Sequence, residues 1–167
     1  MQPFKALSVR SDDREREAHY NTVQARIAAL IEDELDEVAI LATVACELHH
    51  AFGYYSWTGF YRLIDPQELV VGPYQGGHGC LRIHLSRGVC GAAARTRTTQ
   101  LVPDVSDFPG HIACSSTTRA EIVVPILIGD RVWGVLDVDS DVPAAFTEID
   151  QEHLERLCAM LGNLLAD

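Results

Sequence analysis

The chain has 167 residues, 47% of them hydrophobic, which is the size of one domain with a proper core. Its net charge of −11 and its single lysine, Lys5, disfavour nucleic acid and membranes as partners, because both attract clustered basic side chains. No apolar run reaches transmembrane length, and the odd count of five cysteines argues against a secreted disulfide framework. We therefore expect a soluble, cytoplasmic protein whose cysteines are free, metal-bound or catalytic.

The order of predicted elements favours an α+β fold. A single domain is expected over residues 1–167, with a flexible leader over 1–13. A first helix is predicted from about Asp12, which has capping-box spacing to Glu15. A second helix is predicted over 38–52, a short one over 88–97 and a last one from Thr147 onwards. The predicted strands are 54–64, 69–74, 80–85, 101–105, 120–128 and 131–140. Because these strands are joined as hairpins, they favour a central antiparallel sheet covered by helices.

Three of the five cysteines lie in a glycine-rich stretch. Cys80, Cys90 and Cys114 each have a glycine beside them or within four residues, which indicates turns where sulfur can be reached. None belongs to a C-x-x-C pair, so the spacing does not indicate a zinc knuckle or a thioredoxin-type motif. Cys46 and Cys158 lie in helical patterns, where a free cysteine is commonly a small buried apolar side chain.

Three acidic residues are predicted to meet on one patch of the sheet. Asp137 and Asp139 are two residues apart on a strand, so they share a face. Glu121 falls roughly opposite 137–139 when residues are counted outward from the hairpin turn at 129–130. Acids placed this closely raise one another's pKa values, and one of them is expected to stay protonated near neutral pH. Trp57 and Tyr61 share a strand face in the same way.

Six segments of the chain, taken together in order and spacing, resemble the free methionine-(R)-sulfoxide reductase family, whose members are single GAF domains acting as enzymes. The segments are VGPYQG (71–76), CLRI (80–83), RGVCG (87–91), GHIAC (110–114), EIVVP (121–125) and GVLDVDS (134–140). The resemblance implies N- and C-terminal helices on one side of the sheet, a ligand pocket on the other, and a homodimer supported by the helical side. It also implies that the protein binds no cofactor or metal and that thioredoxin is the external reductant.

The resemblance further implies roles for the site residues. Cys114 is expected to be the nucleophile that takes the sulfoxide oxygen as a sulfenic acid, and Cys80 is the favoured resolving thiol. The role of Cys90 stays open between resolving, relaying and supporting the site. The expected substrate-binding residues are Trp57, Tyr61, Glu121, Asp137 and Asp139. The roles of the three acids, as proton donor or as partner of the substrate ammonium, stay open. Backbone N–H groups of residues 110–114 are expected to bind the substrate carboxylate.

Several alternatives compete with this interpretation. The main one is a non-catalytic GAF domain that senses a small molecule. A metal site built from His78, Cys80 and His84 is allowed by their spacing, with Cys90 or His111 as a further ligand. Without a metal, the histidines at 78, 84 and 111 are expected to help activate a thiol. Reduction of methionine sulfoxide within proteins requires an open groove, and a closed pocket disfavours it.

Overall fold

A computed structural model describes residues 5–112 and 114–166 of the chain. The helices are α1 (Asp13–Leu30), α2 (Glu37–Ala51), α3 (Gly88–Thr96) and α4 (Glu148–Leu164). The strands are β1 (Trp57–Asp65), β2 (Glu68–Gly76), β3 (Arg82–His84), β4 (Gln100–Val102), β5 (Ala120–Ile128) and β6 (Arg131–Ser140). Within the described ranges, no helix has both the length and the apolarity needed to cross a membrane.

The six strands form one antiparallel sheet in the order β3-β2-β1-β6-β5-β4. Helices α2 and α4 pack on one face of the sheet, α1 packs on these two helices, and together they bury the larger apolar cluster. Helix α3 and the long connection before β5 cover the other face, where a second apolar cluster lies. The predicted α+β class is confirmed, and so is the separation of a helical face from a second face that carries the pocket.

Side-chain caps set where the long helices begin. The Asp12 side chain accepts a hydrogen bond from the Glu15 N–H at 2.8 Å, and Thr147 forms a second capping box with Asp150 at the start of α4. Both were predicted. The apolar side chains of Leu30, Val38 and Leu164 are exposed, because each lies in a terminal turn where less of the helix is covered.

The described part of the expected leader is tied to the folded body. The Leu7 N–H donates to the Ala51 carbonyl and the Gly53 N–H donates to the Leu7 carbonyl, both at 2.8 Å. Leu7 and Val9 also pack against the helical core. Residues 5–12 thus include backbone and side-chain contacts to the folded body, and α1 begins at Asp13. Residues 1–4 lie outside the described part.

The two strands that carry the site alternate as predicted. On β6, Leu136 and Val138 join the helical core, whereas Val135 joins the cluster on the opposite face. A register shift between Ile126 and Leu127 changes the count across the hairpin by one residue. Glu121 therefore pairs directly with Asp139, at one end of the range expected from symmetric counting.

A buried ion pair anchors the helical layer. Arg16 Nη1 lies 2.6 Å from Asp150 Oδ2, and both side chains are almost fully buried. Tyr20 and Tyr54 donate their hydroxyl hydrogens to Asp150 Oδ1 at 2.8 and 2.7 Å. The network joins α1, α4 and the segment before β1, so Asp150 has a second role beyond the predicted helix cap.

Replacing Asp150 by Asn is expected to destabilise the protein by about 3–5 kcal/mol, because Arg16 would stay buried without its counter-charge. Urea unfolding followed by circular dichroism measures this difference. Glu152→Gln on the same helix is the matched control. Its side chain is 70% exposed and pairs with Arg156 at 3.8 Å, so we expect a change below about 0.5 kcal/mol. Equal effects from the two substitutions would contradict the assignment of Arg16–Asp150 as an anchor.

Candidate active site

A cavity lies on the sheet face opposite the long helices, between β1, β5, β6, the start of α3 and the connection before β5. It holds about 520 Å³ of space free of protein atoms, counting its opening to solvent. Seven of the eight predicted site residues line it: Trp57, Tyr61, Cys90, Cys114, Glu121, Asp137 and Asp139. The eighth, Cys80, is bonded to Cys114. The structure thus brings together the eight predicted catalytic and substrate-binding residues.

The thiols form one disulfide and one free, buried group. Cys80 and Cys114 are joined across 34 residues of sequence, with their Cα atoms 5.4 Å apart. Cys90, in the first turn of α3, donates from its Sγ to Asp137 Oδ2 at 3.2 Å. Burial and the neighbouring Asp137 and Glu121 charges raise the pKa of the Cys90 thiol well above its usual value. Cys90 is therefore a thiol that donates a hydrogen bond, in contrast to an exposed nucleophilic thiolate.

The two remaining cysteines lie outside the cavity. Cys158 is buried in the helical core, and Cys46 is partly exposed on α2. Their exclusion from the candidate site is consistent with these positions.

Glu121 and Asp137 are buried side by side, and Asp139 beside them is half-buried. Burial raises the pKa of Glu121 to about 7, and the Asp139 charge adds to the increase, while His111 opposes it. His111 Nε2 lies 3.6 Å from Glu121 Oε2. Burial and then the Glu121 charge raise the pKa of Asp137 well above its usual range, and burial and then the Asp137 charge do the same for Asp139. Asp137 Oδ1 is buried without a hydrogen-bond partner.

The cavity has no permanent cation among its described lining residues, where only His78 and His111 can become positively charged. Three carboxylates cannot all ionise in such a site without a large cost, since each charge is removed from water and repels the others. The arrangement therefore keeps at least one carboxylic acid protonated as a hydrogen-bond donor, and it favours a ligand that carries a positive charge.

Aromatic rings form one wall. The Trp57 indole stacks on Tyr61 at 5.7 Å and on Tyr74 at 5.3 Å between ring centroids, and its Nε1–H donates to the Gly77 carbonyl at 3.2 Å. The ring lies over Gly59, where an added Cβ would come within 2.5 Å of an indole carbon. Tyr74 and Gly59 were not among the predicted site residues. Gly59 inside an aromatic strand was a usable signal for close packing.

The connection before β5 closes against α3. The Ile112 side chain lies over Gly88, whose φ of +67° is in the left-handed region, and the Gly88 N–H donates to the Gly110 carbonyl at 3.1 Å. His111 points from this segment to Glu121, so it contacts an acid instead of the predicted thiol.

In the described part of the chain, His78, Cys80 and His84 do not form the alternative metal site that their spacing allows. The Cys80 sulfur is in the disulfide, and His84 is exposed and contacts Ser86 Oγ at 2.8 Å. The group with metal-ligand proximity in the described part is instead Cys90, Glu121 and Asp137, whose ligand atoms lie within 4.8 Å of one another. Their raised pKa values favour the protonated forms, which compete with any cation for this position.

Comparisons with known proteins agree with this geometry. A sequence model of the GAF domain matches residues 36–165. A crystal structure of free methionine-R-sulfoxide reductase from Neisseria meningitidis, in complex with its substrate, superposes with a TM-score of 0.87 and 42% identity over 98% of this chain and 95% of that one. The Staphylococcus aureus protein described as fRMsr, also solved with substrate, gives a TM-score of 0.82 and 41% identity over 88% of this chain and 95% of that one.

A third relative, free methionine-R-sulfoxide reductase from Escherichia coli, is 41% identical over 138 residues, or 83% of each chain. The fold and the matched residues define a GAF domain protein. Within that class the chain belongs to the free methionine-(R)-sulfoxide reductase family.

The raised pKa of Glu121 predicts a pH-dependent stability. A buried acid with a raised pKa binds its proton more tightly in the folded state, so stability is lost as pH rises from the unfolded value of 4.5 to about 7. The cost is on the order of 3 kcal/mol, because one pKa unit corresponds to about 1.4 kcal/mol. Urea unfolding at about pH 5 and about pH 8 should show a smaller decrease for Glu121→Gln than for wild type. Equal decreases in the two proteins would contradict the shift.

Proposed function

We propose that this protein reduces free L-methionine-(R)-sulfoxide to methionine in the described cavity. The observation that carries the proposal is a disulfide, Cys80–Cys114, at the rim of a cavity lined by three carboxyl groups, Glu121, Asp137 and Asp139. The relatives from Neisseria meningitidis and Staphylococcus aureus, each solved with its substrate, support this substrate for the same fold.

In the first step, the Cys114 thiolate attacks the sulfoxide sulfur while a carboxylic acid protonates the oxygen. The hydroxyl then passes from the substrate sulfur to Cys114 Sγ, the substrate S–O bond and the bond between the two sulfurs break, methionine leaves, and Cys114 becomes a sulfenic acid. Glu121 is a suitable donor because its pKa of about 7 leaves it partly protonated at neutral pH. The sulfoxide gains two electrons, and the cysteine sulfur loses two.

In the second step, the Cys80 thiol attacks the sulfenic acid, which forms the disulfide and releases water. In the oxidised protein the Cα atoms lie 5.4 Å apart, which is within the usual range for a disulfide. An external dithiol then reduces the disulfide by exchange and restores both thiols. Because the thiols carry the electrons, the reaction needs no bound cofactor. Thioredoxin as that dithiol and a homodimer through the helical face stay predictions.

The buried acids also account for selection of the free amino acid. The substrate's α-ammonium supplies the positive charge that the described lining lacks, and Asp137 Oδ1 offers it an unpaired acceptor. A methionine sulfoxide residue within a protein carries a neutral amide at that position. The Trp57 indole provides a face for the methyl–sulfur group.

The substrate carboxylate is expected to bind backbone N–H groups of residues 110–114. Two of these N–H groups already donate to carbonyl groups of the protein. The His111 N–H donates to the Phe108 carbonyl at 3.2 Å, and the Cys114 N–H donates to the Ile112 carbonyl at 3.0 Å. Because these two N–H groups already have acceptors, the proposal does not require them to bind the substrate carboxylate.

A coupled assay tests the function. Oxidation of NADPH by thioredoxin reductase and thioredoxin is followed with free Met-(R)-sulfoxide, free Met-(S)-sulfoxide and an N-acetylated, amidated R-sulfoxide. We expect turnover of the free R epimer alone. Cys114→Ser should abolish it, whereas Cys80→Ser should form about one methionine per chain and then stop, because its sulfenic acid lacks a resolving thiol. Cys158→Ser, outside the cavity, is the matched control and should keep full turnover.

The assay also separates the alternatives. Turnover of the blocked sulfoxide would contradict selection by the ammonium. Lack of turnover with all three compounds, from protein with confirmed free thiols, would favour a sensor that binds a small molecule without chemistry. Unchanged activity after dialysis against a chelator is expected for a thiol mechanism, and loss of activity would favour the metal-binding interpretation of Cys90, Glu121 and Asp137.

Cys90 is assigned a supporting role in this proposal because its sulfur donates to Asp137 Oδ2 and because burial holds it protonated. Cys90→Ser retains a donor at this position and should keep more than about a third of kcat/KM. Cys90→Ala removes the donor and should lower kcat/KM by about tenfold, near the upper end of what one lost hydrogen bond contributes. Both variants should still form the Cys80–Cys114 disulfide. Arrest of either variant after one turnover would instead identify Cys90 as a resolving thiol.

A further inference from the structure

A second cavity lies outside the first, and Cys114 belongs to the wall between them. This outer pocket holds about 740 Å³ of space free of protein atoms, counting open solvent. It is lined mainly by polar groups that follow Cys114, namely Ser115, Ser116, Thr117 and Thr118, together with Asp141. The inner and outer cavities share Trp57, His78, Cys114, Ser115 and Thr118, but the described lining of the outer pocket does not include Cys80.

The two sulfurs of the disulfide therefore differ in access. Cys114 is exposed, whereas Cys80 is half-buried and packs against the apolar cluster on the pocket side of the sheet. Thiol–disulfide exchange depends on which sulfur the attacking thiolate can reach. The outer pocket gives access to the Cys114 sulfur without passing through the inner cavity.

We propose that the external reductant enters the outer pocket and attacks the Sγ atom of Cys114. The new bond joins the reductant sulfur to Cys114, the Cys80–Cys114 bond breaks, and Cys80 leaves as a thiolate that takes up a proton. The second thiol of a dithiol then attacks the reductant's own sulfur and releases Cys114. The reductant is oxidised by two electrons, and the protein disulfide is reduced to two thiols.

This route makes Cys114 the contact point for both half-reactions. The sulfoxide reaches it from the inner cavity, and the reductant reaches it from the outer pocket. Asp141 is the carboxylate among the described lining residues of the outer pocket. The pocket therefore favours a reductant with a positive charge near its thiol over a reductant with a negative charge there. The inference rests on the proposed function only for the biological role of the disulfide, because the exchange itself requires only the oxidised protein.

A trapping experiment identifies the attacked sulfur. Oxidised protein is mixed with a thioredoxin variant that keeps only the nucleophilic cysteine of its C-x-x-C motif, and the reaction is quenched at early times with excess alkylating reagent. Peptide mapping by mass spectrometry then locates both modifications. We expect thioredoxin on Cys114 and the alkyl group on Cys80. Thioredoxin on Cys80, or equal amounts on both cysteines, would overturn the proposal. Because no sulfoxide is present, the result is independent of the reductase activity.

Blocking the outer pocket tests its use. Ser116 lines the outer pocket but not the inner cavity, so Ser116→Phe should slow disulfide reduction by thioredoxin at least about tenfold, about the effect of losing one good contact. The exposed Thr98 lies outside both cavities and provides the control Thr98→Phe. Thioredoxin should reduce the disulfide of this control at the wild-type rate. Equal reduction rates for the Ser116 variant and wild type would overturn the route.

Small thiols test the charge preference with oxidised protein alone. After correction for thiolate fraction, cysteamine should react about twofold to fivefold faster than 3-mercaptopropionate, the range that one surface charge pair supports. Asp141→Asn should remove this preference. A preference that survives the substitution, or one for the anionic thiol, would contradict the placement of the reductant beside Asp141.

Discussion

The central physical constraint is the grouping of two buried carboxyl groups, Glu121 and Asp137, with the half-buried Asp139 in one cavity that has no permanent cation among its described lining residues. Ionisation of all three would require removing each charge from water beside two like charges. The site relieves this cost by holding protons on carboxyl groups, by the contact of His111 with Glu121, and by the hydrogen bond from Cys90 to Asp137. The same protonation supplies an acid, and the remaining negative charge attracts an ammonium group.

The fold separates the groups that hold the protein together from those that do chemistry. On the helical face, Arg16 and Asp150 form a buried pair in which charge and counter-charge are both present. On the other face, charge is left uncompensated until a ligand binds. The β5–β6 hairpin spans both environments, since alternate residues of β6 face opposite layers. A rigid sheet can therefore hold the acids in place although the cavity itself is electrostatically strained.

Periodicity and residue type predicted much of this arrangement. Because a strand has a period of two, alternation predicted that Asp137 and Asp139 share one face of their strand and that Trp57 and Tyr61 share one face of theirs. The structure shows all four lining the same cavity. The pairing of Glu121 with Asp139 needed the register shift near Ile126, which alternation does not reveal. The roles assigned to the cysteines came from family resemblance, since their spacing alone does not identify a partner. The His111 contact and the Arg16–Asp150 pair depend on long-range packing that no local pattern encodes.

The most direct test of the account is a single turnover with full mass balance. Fully reduced protein is mixed with one equivalent of free Met-(R)-sulfoxide, and methionine and all cysteine products are quantified by mass spectrometry. The account predicts about one methionine per chain, formed together with an equal amount of the Cys80–Cys114 disulfide. Failure to form methionine, or methionine accompanied by a disulfide that contains Cys90, would contradict it.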